Sequence, residues 1–83
     1  MKAVVTIYQR DGCHLCELAA EQLVELQREH GFEICEVDIE ASDQLHAAYL
    51  ERIPVIAVNG DELYDFEIDI EDLKSRLLRL NGQ

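Results

Sequence analysis

The sequence predicts an α/β fold, with a four-stranded mixed sheet and helices on both of its faces, in the order βαβαββα. An apolar run, a long helical pattern and a second apolar run follow one another from residue 3 to 38, as in two parallel strands joined by a right-handed crossover. Asn59-Gly60 lies between two later apolar runs and is a strong hairpin signal, because both residues tolerate positive φ. The length of 83 residues suits a single domain, 1–83.

The first half of the chain supplies the strand–helix–strand unit. Residues 3–8 are apolar on both faces, as expected of a central strand that is covered on both sides. A helix over about 14–30 has glutamates opposite its apolar face, and Gly31 is suited to end it. The second strand covers about 32–38 and contains Cys35, for which we expect a buried, unreactive thiol. The helical spacing is expected to place the following residues near one face: Cys16, Ala19, Ala20, Leu23, Leu26 and Gln27.

The second half supplies a short helix, a hairpin and a final helix. Ser42 or Asp43 is expected to cap the short helix, since their side chains accept hydrogen bonds from unpaired N–H groups. The hairpin strands are predicted at 53–58 and 62–65. Asp69 is expected to cap the last helix, which Asn81-Gly82 ends. Its predicted apolar stripe consists of Ile70, Leu73, Leu77 and Leu80.

Charge excludes several classes of partner. The chain has 18 acidic and 7 basic residues, a formal charge of −11, so nucleic acid and anionic membranes would be repelled.

No stretch approaches the roughly 20 apolar residues of a membrane span. The first residues run directly into a strand pattern and leave no room for a signal peptide, so we expect a cytoplasmic protein. We also expect a monomer.

The pair Cys13 and Cys16 carries the chemistry, because it forms a C-x-x-C between a strand and a helix. Unpaired N–H groups and a partial positive charge at a helix N-terminus favour a thiolate, which is the species that attacks disulfides. Cys13 would be the exposed attacking thiol, and Cys16, one turn further, would resolve the mixed disulfide. Arg10 and His14 are placed to favour the thiolate or to bind substrate, although both also suit a solvated surface.

Two other functions compete with thiol–disulfide exchange. The C-x-x-C can be half of a zinc or iron–sulfur site, but structural zinc sites usually have two such pairs. The remaining candidates, Cys35, His30 and His46, have no paired spacing, so we expect no metal. A non-catalytic domain that binds a basic partner through its acidic surface is the other alternative. A C-x-x-C beside a βαβ pattern favours the redox function.

The segment from Tyr8 to Cys16, Tyr-Gln-Arg-Asp-Gly-Cys-His-Leu-Cys, resembles the active-site segment of the glutaredoxins, within the thioredoxin superfamily. Ile53-Pro54 is similar to that family's x-V-P segment, whose proline is cis and faces the cysteines. The resemblance extends over nearly the whole chain and implies a thioredoxin-like fold and a thiol–disulfide oxidoreductase. The substrate-binding residues that we infer around the dithiol are Arg10, His14, Arg52, Ile53 and Pro54.

The sequence departs from the glutaredoxin pattern at two places. His14-Leu15 replaces the family's Pro-Tyr. The glycine pair that begins the glutathione site is absent, and residues 65–69 read Asp-Phe-Glu-Ile-Asp. Three acids should disfavour the anionic glutathione, whereas Arg10 and Arg52 would offset part of this repulsion. We therefore expect protein disulfides as partners, glutathione as a disfavoured second substrate, and no bound cofactor.

Overall fold

The computed structural model describes residues 2–82 and contains one mixed sheet with the strand order β2-β1-β3-β4. The order of elements, βαβαββα, agrees with the prediction, and a single turn of 3-10 helix, Ile39–Ala41, precedes the second α-helix. The elements are β1 (Val4–Gln9), α1 (His14–His30), β2 (Glu33–Asp38), α2 (Asp43–Tyr49), β3 (Val55–Val58), β4 (Asp61–Asp65) and α3 (Ile70–Asn81).

Strand β1 is central, as predicted, with β2 parallel to it on one side and β3 antiparallel on the other. Its last residues lie beside the start of β3, because Tyr8 is opposite Val55. Val55 in turn is opposite Asp65, the last residue of β4. The end of β1, the start of β3 and the end of β4 therefore share one edge of the sheet.

Helices cover both faces of the sheet. On one face, Val5 and Ile7 are fully buried against residues of α1 and α3. Side chains alternate between faces along a strand, so Tyr8 points to the opposite face, where its ring stacks on that of Tyr49 in α2. The buried cluster beneath α1 and α3 also contains Ala19, Leu23, Leu26, Ile56, Val58, Leu73 and Leu77.

The start of β3, the cap of α2 and the burial of Leu80 show where the structure corrects or refines the expectations. Strand β3 begins at Val55 rather than residue 53, because Pro54 has no N–H to donate to a ladder. The cap of α2 is Ser42, whose hydroxyl accepts from the N–H of Leu45. Leu80, expected in the core, is 40% exposed and borders an open cleft beside the β3–β4 turn.

The expectation of a buried Cys35 was wrong, since this thiol is free and exposed. Strand β2 pairs only with β1 and forms an edge of the sheet, so it is covered less completely than the central strands. Glu33 and Glu36 on the same strand are also exposed, and such charges protect an edge strand from pairing with other chains. The apolar neighbours of Cys35 in sequence did not reveal that β2 is an edge strand.

Candidate active site

A short loop delivers the two cysteines from β1 to the first turn of α1. Gly12, just before them, has φ +78°, and a Cβ there would meet no atom within 4 Å, so glycine is favoured by the backbone conformation and not by space. Cys13 is the N-cap of α1, and its carbonyl accepts from the N–H of Glu17 at 3.1 Å. The C-x-x-C therefore begins the helix, as the sequence indicated.

Cys13 and Cys16 are joined by a disulfide, with their Cα atoms 5.2 Å apart. The N–H of Cys16 donates to Sγ of Cys13 at 3.2 Å, so a backbone donor is aimed at the first sulfur. Cys16 is only 1% exposed, whereas Cys13 is half-buried. In the dithiol state the helix N-terminus and this donor would favour negative charge on Cys13, and the cover over Cys16 would limit attack by external reagents.

The Ile53–Pro54 peptide bond is cis, as the resemblance implied, and Pro54 is buried. Because Pro54 precedes Val55, it lies at the sheet edge where β1 ends and the loop to the cysteines starts. The N–H of Ile53 donates to the carbonyl of Tyr49 at 3.1 Å. A substrate that paired with this N–H would first have to displace that bond.

Both arginines predicted to bind substrate face carboxylates of the chain itself. Arg10 Nε lies 3.3 Å from Glu40 Oε1. Arg52 donates from Nε and Nη2 to both oxygens of Asp65, at 3.0 and 3.1 Å, and from Nη2 to Glu62 at 2.8 Å. These pairs reduce the positive charge that either arginine offers to an anionic ligand.

Arg52 belongs to a network that ties the segment before Pro54 to strand β4. The hydroxyl of Tyr49 donates to Glu62 at 2.6 Å, and the Arg52 guanidinium lies 5.4 Å from the centre of the Tyr49 ring. The hydrogen bonds from Tyr49 and then Arg52 lower the pKa of Glu62, while the bond to Glu62 and burial raise the pKa of Tyr49. The geometry thus gives Arg52 a role in holding this segment.

Phe66 is a feature of the site that the sequence argument missed. It is 50% exposed and has φ +70°, a left-handed conformation that glycine adopts more readily. Its N–H donates to the carbonyl of Pro54 at 2.8 Å and also approaches that of Arg52 at 3.2 Å. The charge of residues 65–69 does not reveal this conformation, but the glycines that the family has in this stretch are a signal for an unusual backbone.

The remaining observations concern His14, metals and membranes. His14 is the first residue of α1 and is exposed. Within residues 2–82, no group of three or more histidine, cysteine or acidic side chains is placed to hold a metal ion. Over the same residues, no helix has the length and apolar character needed to cross a membrane.

This sheet order, with a cysteine pair at the start of the first helix and a cis-proline at the same sheet edge, defines a member of the thioredoxin superfamily. The chain belongs to the glutaredoxin-like domain family (DUF836), whose model matches residues 4–78.

Relatives and solved structures agree with this assignment. Uncharacterized protein Rv0508 of Mycobacterium tuberculosis is 32% identical over 80 residues, which cover 90% of this chain and 82% of that protein. The solution structure of protein Ne2328 from Nitrosomonas europaea matches with a TM-score of 0.80 and 28% identity, covering 92% of each chain. The X-ray structure of XcR50 from X. campestris matches with a TM-score of 0.72 and 36% identity, covering 88% of this chain and 93% of that one. A thioredoxin from Halobacterium salinarum, at 18% identity and a TM-score of 0.68, shares the fold.

Proposed function

We propose that this protein is a thiol–disulfide oxidoreductase that reduces or exchanges protein disulfides through the Cys13/Cys16 pair. The observation that carries the proposal is the N–H of Cys16 aimed at Sγ of Cys13, at the N-terminus of a 17-residue helix. A cysteine pair with only a structural role needs neither a backbone donor that favours a thiolate at one sulfur nor burial of the other sulfur.

The reaction transfers two electrons from the dithiol to the substrate. The Cys13 thiolate attacks one sulfur of the substrate disulfide, forms a mixed disulfide and releases the first substrate thiolate. The Cys16 thiolate then attacks Sγ of Cys13, closes the Cys13–Cys16 disulfide and releases the second substrate thiolate. The thiolates take up protons from solvent as pH requires, and a low-potential thiol or dithiol reductant restores the pair by the reverse sequence.

Protein disulfides are favoured over glutathione as substrates. Glutathione carries net negative charge, and the chain has a formal charge of −11. Arg10 and Arg52, the cations that would attract it, already lie against Glu40, Glu62 and Asp65. We place this activity in the cytoplasm, where a reducing thiol pool keeps such dithiols reduced and an odd cysteine count is ordinary.

The proposal is tested by trapping the mixed disulfide. In a Cys35→Ser background, which removes the exposed third thiol, Cys16→Ser should accumulate proteins disulfide-linked to Cys13, because the resolving thiol is absent. The matched control is Cys13→Ser in the same background, which should trap far less, since Cys16 is covered. Non-reducing electrophoresis followed by mass spectrometry of the linked peptides measures both.

Two outcomes would contradict the proposal. Equal trapping by the two variants would mean that neither cysteine is the specific nucleophile. A partner that binds the Cys13→Ser variant as tightly as the wild type, with no disulfide reduction by the wild type, would indicate a non-catalytic binding domain.

A further inference from the structure

Phe66 combines three properties that a residue with only a structural role rarely has. Half of its side chain is exposed, its backbone is left-handed, and its N–H is fixed to the carbonyl of Pro54. A non-glycine residue in the left-handed region costs roughly 1–2 kcal/mol, and such cost tends to be retained at functional positions. Burial of the ring does not offset it, since the ring remains half in water.

The sheet register places Phe66 at the sheet edge from which the loop to the dithiol leaves. Tyr8 is opposite Val55, and Val55 is opposite Asp65, so Phe66 follows the end of β4 at the edge where β1 leads to Cys13. Neighbouring strands are about 4.8 Å apart, so two spacings separate Phe66 from the end of β1 by about 10 Å. An extended peptide covers that distance in about three residues.

The charge around Phe66 is acidic. Glu67 and Asp69 follow it and are exposed, and Asp65 before it is engaged by Arg52. Phe66 is therefore an exposed aromatic residue in an acidic segment, in which Asp69 also caps α3 and Glu67 makes no ion pair within the described residues, and the whole chain has a formal charge of −11. This combination is complementary to a peptide that carries both an apolar and a basic side chain.

We infer that Phe66 is a specificity-determining residue: it binds an apolar or aromatic side chain located two or three residues from the reactive cysteine of an extended, basic peptide segment. The inference rests on the proposed function, because the cysteine of that segment is the one attacked by Cys13. Phe66 would thus select a protein segment by side-chain contact.

The experiment measures binding and reduction separately. The fluorescent peptides have lysine flanks and a central cysteine. In each peptide of the series, one phenylalanine lies one, two, three or five residues from the cysteine, and the control peptide has glycine at all of these positions. Peptides with serine in place of that cysteine cannot react, and their binding is measured by fluorescence anisotropy. The disulfide-linked dimers of the cysteine peptides are the substrates for measuring reduction rates. A small symmetrical disulfide without peptide flanks reports the dithiol chemistry alone.

The variants are Phe66→Gly and Phe66→Asn, which remove the ring but suit a left-handed backbone, so both should fold. The control is Leu78→Ala, which removes another exposed apolar side chain, on α3. Wild type and Leu78→Ala should prefer phenylalanine at two or three residues over glycine by about three- to tenfold, the size of an aromatic contact. Both Phe66 variants should lose this preference, which is expressed for each variant relative to its own rate on the small disulfide.

The possible results separate the two proposals. If the small disulfide is not reduced but the serine peptides show the Phe66-dependent preference, the oxidoreductase proposal fails and the binding site stands. If the small disulfide is reduced but Phe66→Gly retains the preference, the inference about Phe66 is overturned. Equal binding of all phenylalanine positions, or stronger binding when glutamates replace the lysines, would also overturn it.

Discussion

The reactivity of the three cysteines gives the most direct test of how the fold activates the site. Three variants each retain one cysteine, Cys13, Cys16 or Cys35, with serine at the other two positions. Serine at position 13 preserves the helix cap, because its hydroxyl can accept from the first-turn N–H groups. Cys35 is an internal reference, since it is exposed but lies on a strand, away from any helix N-terminus.

The structure sets the expected order of alkylation rates. A negative charge at a helix N-terminus is typically stabilised by about 0.3–1 kcal/mol, which gives about two- to fivefold more thiolate near pH 7. Cys13 should therefore react about two- to fivefold faster than Cys35, although it is less exposed. Cys16 is only 1% exposed and should react at least tenfold more slowly than Cys35, because the reagent must wait for local opening.

The assay is iodoacetamide labelling from pH 5 to 10, followed by mass spectrometry. The advantage of Cys13 over Cys35 should shrink at high pH, where both thiols are ionised, and in high salt, which screens the helix terminus. Labelling of Cys16 faster than Cys35 at pH 7 would refute the assignment of attacking and resolving thiols. An advantage of Cys13 that stayed constant from pH 7 to 10 would mean that access, not thiolate stabilisation, distinguishes it.

Two further predictions concern stability. The lowered pKa of Glu62 means that its contribution is fully present above the unfolded-state value of about 4.3 and is lost as pH falls through the lower folded-state value. Below about pH 5, the thermal midpoint of Glu62→Gln should therefore fall less steeply with decreasing pH than that of wild type or of the exposed control Glu21→Gln. The same pH dependence in all three proteins would contradict a stabilising role of the Glu62 network. In α3, Leu73→Ala should cost about 2–5 kcal/mol in urea unfolding, because Leu73 is fully buried. Leu78→Ala, at a 61% exposed position of the same helix, should cost less than about 0.5 kcal/mol, and equal losses would contradict the described core.

Local signals in the sequence determined the architecture. Helix caps such as Asp69 act through hydrogen bonds over three residues, and its side chain does accept from the N–H of Asp72. Asn59-Gly60 forms the hairpin turn with both residues at positive φ. The C-x-x-C at the start of α1 was predictable for the same reason, since strand, loop and helix are contiguous in the chain.

Tertiary structure decided what depends on residues distant in sequence. Arg52 pairs with Glu62 and Asp65 of β4, which are 10 and 13 residues further along the chain. These ion pairs could not be predicted from the residues next to Arg52 in sequence. The exposure of Cys35 depends on β2 being an edge strand, which is set by the order of all four strands. The conformation of Phe66 depends on the hydrogen bond from its N–H to the carbonyl of Pro54, which lies in a different segment, just before β3. Local patterns thus specified the fold and the reactive pair, whereas pairing between distant segments determined the charge and shape around that pair, because those contacts form only when the sheet is complete.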